Sequence, residues 1–320
     1  MRKTVALMFI ITLFITGCSD SIESNEVKNV GMLVEGTIYD QTWGKKGYMG
    51  LLEIKEEMDA NVFFKEGVNS QVAVNEAVES FANKGVTLIF GHGSTYGRYF
   101  SSIRKEYPEI QFVYFNGDKY GENLTSLNFN ANAMGFFAGM VASSMTETNQ
   151  VGVVGAFEWQ PEIDGFYEGV KYENPDVDVT IRTVNHWDNE QMALKTYKTM
   201  VEEKNIDIVY PAGDGFSVPI IEQAKEDGLY SIGYVSDLHD LGESTVLTST
   251  VQHVDRLYLL AAQLFNKGKL TSGIMSFDFQ DGVVSMGTFS DEVPESVQNR
   301  INEAVDHYIE TGKLPNQVTN

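Results

Sequence analysis

Along the chain, short runs of consecutive apolar residues alternate with longer stretches whose apolar positions recur every three to four residues. Apolar runs at 30–34, 62–64, 87–90 and 111–115 are separated by helical-period stretches at 45–58, 72–83 and 99–106, and a further short run follows at 124–127. Runs of that length suit buried strands, and the 3.6-residue period suits helices packed over them. The pattern then restarts, with helical stretches at 134–145, 165–172, 192–203 and 218–226 and apolar runs at 151–154, 177–183, 206–210 and 231–234. Strand-helix alternation predicts parallel sheets covered on both faces, and the restart predicts an α/β chain of two doubly wound lobes. A single sheet of about ten strands is the structural alternative. After an apolar pair at 246–247 come a helix at 255–265, apolar positions at 274–279 and 283–286, and a closing helix at 297–308. These late elements suit a chain that crosses between lobes more than once. The expected division is 29–128 with about 249–275 for the first lobe, and 129–248 with about 276–320 for the second.

The N-terminus changes the picture from cytosolic to exported. Met1, Arg2 and Lys3 precede an apolar stretch from residue 5 to residue 15, the layout of a secretory signal. A membrane-spanning helix needs about 20 apolar residues, and this stretch stops sooner, at Ile15-Thr16-Gly17-Cys18. The segment reads as a signal peptide over 1–17, with the single cysteine of the chain, Cys18, as the lipidation site and a polar tether over 18–28. The expected location is therefore the outer face of the cell membrane, held by lipid. One cysteine allows no internal disulfide, so the core alone must hold the fold. The net charge is −22 and becomes more negative once Arg2 and Lys3 leave with the leader. Nucleic-acid binding draws on clustered Lys and Arg, and no basic run exists, so no nucleic-acid partner is expected.

In open α/β sheets ligands sit beyond the carboxyl ends of the strands. Five stretches occupy such places: Glu35-Gly36-Thr37-Ile38-Tyr39-Asp40-Gln41-Thr42-Trp43, Gly91-His92-Gly93-Ser94, the loop before Phe166, Pro211-Ala212-Gly213-Asp214-Gly215, and Ser236-Asp237. Together they offer an aromatic ring from each half, Trp43 and Phe166, and three acids, Asp40, Asp214 and Asp237, which suits a flat ligand bearing hydroxyls. The alternative is that the two rings cover sheet ends as core residues and the aspartates cap helices. Catalytic motifs are missing. Gly91-His92-Gly93-Ser94-Thr95-Tyr96-Gly97 fits neither a dinucleotide fingerprint nor a phosphate loop, and no nucleophile elbow or His-Glu-x-x-His is present. The five histidines are scattered, and His186-Trp187-Asp188 reads as a strand-to-helix turn. Neither an enzyme, a metal nor a cofactor is expected.

At these loops the chain resembles the basic membrane protein family of substrate-binding lipoproteins. The resemblance covers nearly all of the chain after the leader and is carried by Tyr39-Asp40-Gln41-Thr42-Trp43, Thr125-Ser126-Leu127-Asn128-Phe129, Met134-Gly135-Phe136-Phe137-Ala138-Gly139, Gly165-Phe166-Tyr167-Glu168-Gly169, the Gly213 loop, Ser236-Asp237, Ser249-Thr250-Val251-Gln252 and Asp281-Gly282-Val283. It implies a type I periplasmic-binding-protein-like fold with a purine nucleoside or similar planar, sugar-bearing ligand clamped between the lobes, and an ABC permease as partner. It also implies site roles: Asp40 facing the base, Trp43 and Phe166 stacking on it, Gly213 and Asp237 meeting the ribose. His92, Asp214 and Gln252 complete the expected ligand-binding set. The chain departs from the nucleoside-binding pattern at Thr42-Trp43-Gly44, at Val235-Ser236-Asp237, and at Gln252, which stands where a hinge lysine is usual. Other segments, among them Trp159-Gln160-Pro161-Glu162, resemble a branch of the same family described as regulators of competence. That implies an alternative: a regulator acting through protein partners, with a degenerate cleft.

Overall fold

The structure is a computed structural model that describes residues 27–39 and 43–317. The expected leader, Cys18 and Asp40 lie outside the described residues. The first sheet is built from β1 (Asn29–Leu33), β2 (Asn61–Lys65), β3 (Leu88–Gly91), β4 (Gln111–Phe115) and β5 (Leu124–Phe129), joined late in the chain by β11 (Gly273–Phe277). Its order is β2-β1-β3-β4-β5-β11, parallel throughout. The second sheet takes β6 (Gln150–Gly155), β7 (Asp178–Thr183), β8 (Ile208–Ala212), β9 (Tyr230–Val235), β10 (Val246–Gln252) and β12 (Val284–Met286). It repeats the first, β7-β6-β8-β9-β10-β12, with only β12 antiparallel. Helices follow the strands: α1 (Trp43–Met58), α2 (Gln71–Ala82) and α3 (Tyr96–Ile103) in the first lobe, α4 (Asn132–Met145), α5 (Pro161–Glu173), α6 (Glu190–Lys204) and α7 (Ser217–Asp227) in the second. The α/β fold of two doubly wound parallel lobes is thus the observed one, and the strand order places each lobe's switch point between its first and third strands.

The chain crosses between lobes three times: after β5, after β10, and between β11 and β12. Helix α8 (Val254–Asn266) returns to pack on α1, and α9 (Glu295–Thr311) closes against α4. Two of these crossings fall elsewhere than the apolar pattern suggests. Residues 249–252 belong to β10 in the second sheet, and 276–277 finish β11 in the first. The reason is that β10 reads as polar, Thr-Ser-Thr-Val-Gln after its apolar pair, yet is buried along its whole length. Its hydroxyls are satisfied internally: Thr250 Oγ1 donates to Gly233 O at 3.1 Å and pairs with Tyr210 Oη at 3.0 Å, while Thr248 Oγ1 donates to Gly287 O at 3.1 Å. A buried hydroxyl with partners removes most of the desolvation penalty that would otherwise keep it on the surface.

One apolar cluster runs from the first sheet through α4 into the second. Its centre is the contact between α4 and α5, which glycines bring to backbone distance. A Cβ on Gly135 would stand 2.1 Å from Glu162 O, and one on Gly139 would stand 2.2 Å from Phe166 O. From the other side, a Cβ on Gly165 would meet Asn132 O at 2.0 Å and one on Gly169 would meet Phe136 O at 1.9 Å. Four glycines at four-residue spacing on two helices therefore set the axis separation, and with it the position of the N-terminal turn of α5. Among the described residues no helix is long and apolar enough to cross a membrane.

Gly169→Ala should destabilise the second lobe by at least about 2 kcal/mol, because the intruding methyl meets backbone rather than a movable side chain. Urea unfolding should show a lower midpoint with an unchanged slope.

Candidate functional site

The carboxyl ends of both sheets face one cavity of about 390 Å³ between the lobes, a size typical of small-ligand pockets. The first-lobe wall comprises Val34 and Glu35 after β1, His92 to Thr95 after β3, and Trp43 at the start of α1. Trp43 lies nearly parallel on the imidazole of His92, with ring centroids 4.7 Å apart and an interplanar angle of 18°. His92 is only 3% exposed. Its Nε2 donates to Trp43 O at 2.7 Å, and its Nδ1 accepts from Tyr258 Oη at 2.9 Å. Those partners fix the neutral tautomer protonated on Nε2. Burial pushes the imidazole from 6.5 down to about 4, opposed in part by the Trp43 carbonyl. Gly47 makes room for this: a Cβ there would stand 2.5 Å from His92 Cε1.

The second-lobe wall is supplied by Trp159 after β6, Trp187 after β7, Asp214 after β8, and the first turn of α5. Phe157 and Trp159 stack at 5.4 Å and 19°, and Trp187 meets both edge-on, at 5.3 and 5.9 Å. At the floor, Glu162 Oε1 accepts from Gln160 Nε2 at 2.8 Å and from Tyr234 Oη at 2.9 Å. Burial pushes the Glu162 carboxyl above its usual range, with these donors and its own N–H pulling the other way. Beside it Val235 holds φ 63°, a left-handed backbone unusual for a β-branched residue. Such strain, costing about 1–3 kcal/mol, clusters at ligand sites. The hinge closes the floor: Phe129, Ala131 and Gln252 line the cavity, and Lys46 of α1 donates to Gln252 O at 3.0 Å across the lobes. Burial lowers the Lys46 pKa, and the charges of Asp255 and Asp237 oppose that shift.

Of the residues expected from sequence, Trp43, His92, Asp214 and Gln252 come together around this cavity. His92 spends both nitrogens on protein, so it buttresses Trp43 and has none left for a ligand. Phe166 does not reach the cleft. It is fully buried one turn into α5 and stacks on Tyr210 at 5.2 Å and 19°, because the glycine contact with α4 presses that helix face into the core. Gly213 is buried under Phe216, whose ring atom would lie 1.9 Å from an added Cβ, and it too lies off the cavity. Asp237 is likewise off the cavity and ties β9 to the segment after β12. Its carboxylate accepts from Thr288 N at 2.9 Å and Thr288 Oγ1 at 2.7 Å; burial pushes its pKa up, and these bonds together with those from His239 N and Ser249 Oγ lower it on balance. Sequence reasoning missed Trp159, Trp187, Glu162 and Asp188. The rule applied elsewhere, to inspect the residues following each apolar run, points to all four.

The shift at His92 carries a sign. Between pH 6.5 and about 4 the unfolded chain binds a proton that the folded chain refuses, so stability that is present above 6.5 is lost as pH falls through that window. The loss amounts to about 3 kcal/mol at 1.36 kcal/mol per unit. His92→Asn should be less stable than wild type at pH 7.5, and the gap in urea midpoints should narrow at pH 4.5.

Comparison with known proteins fits this geometry. The sequence profile of the family described as Bmp, ABC transporter substrate-binding protein PnrA-like, matches residues 27–318. The transcriptional activator protein med of Bacillus subtilis (strain 168) is 47% identical over 315 residues, covering 98% of this chain and 99% of that protein. The crystal structure of a transcriptional activator of the comK gene from Bacillus halodurans is 49% identical with a TM-score of 0.84, covering 89% of this chain and 99% of its own. A solute-binding protein of an ABC transporter system from Aeropyrum pernix K1 shares the fold at 19% identity, with a TM-score of 0.71 over 91% of this chain and 82% of that one. The chain is a member of the Bmp family of PnrA-like ABC transporter substrate-binding proteins.

Proposed function

We propose that the protein is a receptor that captures a planar, sugar-bearing ligand of the purine-nucleoside class in the cleft between its lobes. Lipid on Cys18 holds it at the outer face of the membrane, where it hands the ligand to an ABC permease. The observation that carries this reading is one cavity lined by indoles from both lobes, Trp43 on one side and Trp159 and Trp187 on the other. A flat base between such faces gains about 1–3 kcal/mol per stack. Closing the lobes about the three crossings would complete both stacks at once, giving the ligand differential affinity for the closed state.

A second reading is favoured by the name of the Bacillus subtilis relative, a transcriptional activator protein. In this reading the liganded receptor signals through a protein partner, and the ligand site is retained as the input. Direct contact with DNA is disfavoured by the net charge of −22 and the lack of any basic run.

Calorimetric titration of purine nucleosides into the full chain in mild non-ionic detergent should give saturable heat. Trp43→Ala and Trp159→Ala should each weaken binding by about 5- to 100-fold, the equivalent of one stack. No heat from any purine nucleoside would reject the reading. In a gel-shift assay at physiological salt the protein should leave duplex DNA unshifted, and a shift would revive direct DNA binding.

A further inference from the structure

The charged side chains around the interlobar cavity are of one sign among the described residues. Several of the polar donors are taken up by protein. Gln160 Nε2 donates to Glu162 Oε1 and Ala212 O, Asn128 Nδ2 donates to Gly117 O, and both nitrogens of His92 are engaged. The carboxyl groups are the acceptors a ligand would meet. Glu35 and Asp188 stand at the mouth with their carboxylates in no hydrogen bond or ion pair with another described residue. Glu162 is only 4% exposed; Gln160 and Tyr234 both bind its Oε1, and its own N–H also bonds the carboxylate. Asp214 adds a fourth carboxyl group, and among the described residues no Lys or Arg lines the cavity.

An independent observation points the same way. The chain has three tryptophans, and all three line this cavity. Trp159 is 61% exposed at the mouth, a costly place for an indole that has no ligand to cover. An aromatic face is the negative pole of its ring quadrupole and attracts cations, indole most strongly. Carboxylates in a partly enclosed cleft focus their field into it and raise the local concentration of positive ligands. A neutral nucleoside would use the stacking faces and some acceptors but would leave the charge unanswered.

Building on the receptor reading above, we propose that the cleft selects a positively charged planar ligand: within the nucleoside class, one whose base is protonated or alkylated to a cation. The positive base would lie between the indoles with its N–H groups directed to Glu162 and Asp214, and Glu35 and Asp188 would draw it in.

The test uses two isomers of the same formula. 1-Methyladenosine is a cation at neutral pH, and N6-methyladenosine is not. In calorimetric titrations of the full chain in mild non-ionic detergent, the cation should bind at least about tenfold more tightly. The double variant Glu35→Gln/Asp188→Asn, with circular dichroism unchanged, should bring the two within about threefold by removing the field at the mouth. Equal or tighter binding of the uncharged isomer would overturn the proposal and leave the nucleoside reading intact. If neither isomer gave heat while methylguanidine, a planar guanidinium cation, did, the charge preference would stand and the nucleoside reading would fall. Silence from all three would overturn the charge preference as well.

Discussion

A short chain of hydrogen bonds, Tyr258 Oη to His92 Nδ1 and His92 Nε2 to the carbonyl of Trp43, holds the ligand-facing wall of the first lobe in place. It joins three parts that lie far apart in the sequence: the start of α1, the loop after β3, and α8, which the chain reaches only after its second crossing. With the imidazole neutral, the carbonyl of Trp43 fixes its proton on Nε2 and leaves Nδ1 to accept from Tyr258. Burial of the ring enforces the neutral state. The flat indole is thereby fixed against a flat imidazole at 4.7 Å, and its outer face is presented to the cleft at little cost in ordering when a ligand arrives.

The opposite wall is positioned by a different device. Close approach of α4 and α5 through four glycines fixes the first turn of α5, so that Gln160 and Glu162 stand at the cavity floor while Phe166, one turn later, turns into the core. Stacking on the second lobe then falls to the loops after β6 and β7, where Trp159 and Trp187 lean on Phe157. The two walls are thus built unequally: one ring locked by buried hydrogen bonds, and an aromatic group exposed on loops. That asymmetry suits a cleft in which one side receives the ligand and the other closes over it.

Much of the fold was legible in the amino-acid pattern, because a parallel strand buried on both faces leaves an unbroken apolar run and the helices between leave a 3.6-residue period. β10 was not, since its Thr side chains are buried by virtue of partners supplied from β8, β9 and the segment after β12, which no local pattern reveals. Trp43, His92 and Asp214 could be placed at the cavity because each lies in the passage from a strand into the helix that follows it, and Gln252, the last residue of β10, through the family resemblance. Phe166 was misplaced because glycine spacing on two helices decides which face of α5 is covered, and Asp237 because its partner Thr288 is distant in sequence. Trp159 and Trp187 obey the same rule: Trp187 was hidden by a reading that took its loop as a turn, and Trp159 by one that looked past it in the same loop to Phe166.

The most direct measurement is the crystal structure of the protein with whatever small molecule it retains through purification, that molecule being identified by mass spectrometry. A planar group resting between Trp43 and the Trp159/Trp187 pair, with its polar edge toward Glu162 and Asp214, is the predicted result. A cleft filled by the protein's own side chains, or a ligand seated away from all three indoles, would contradict it.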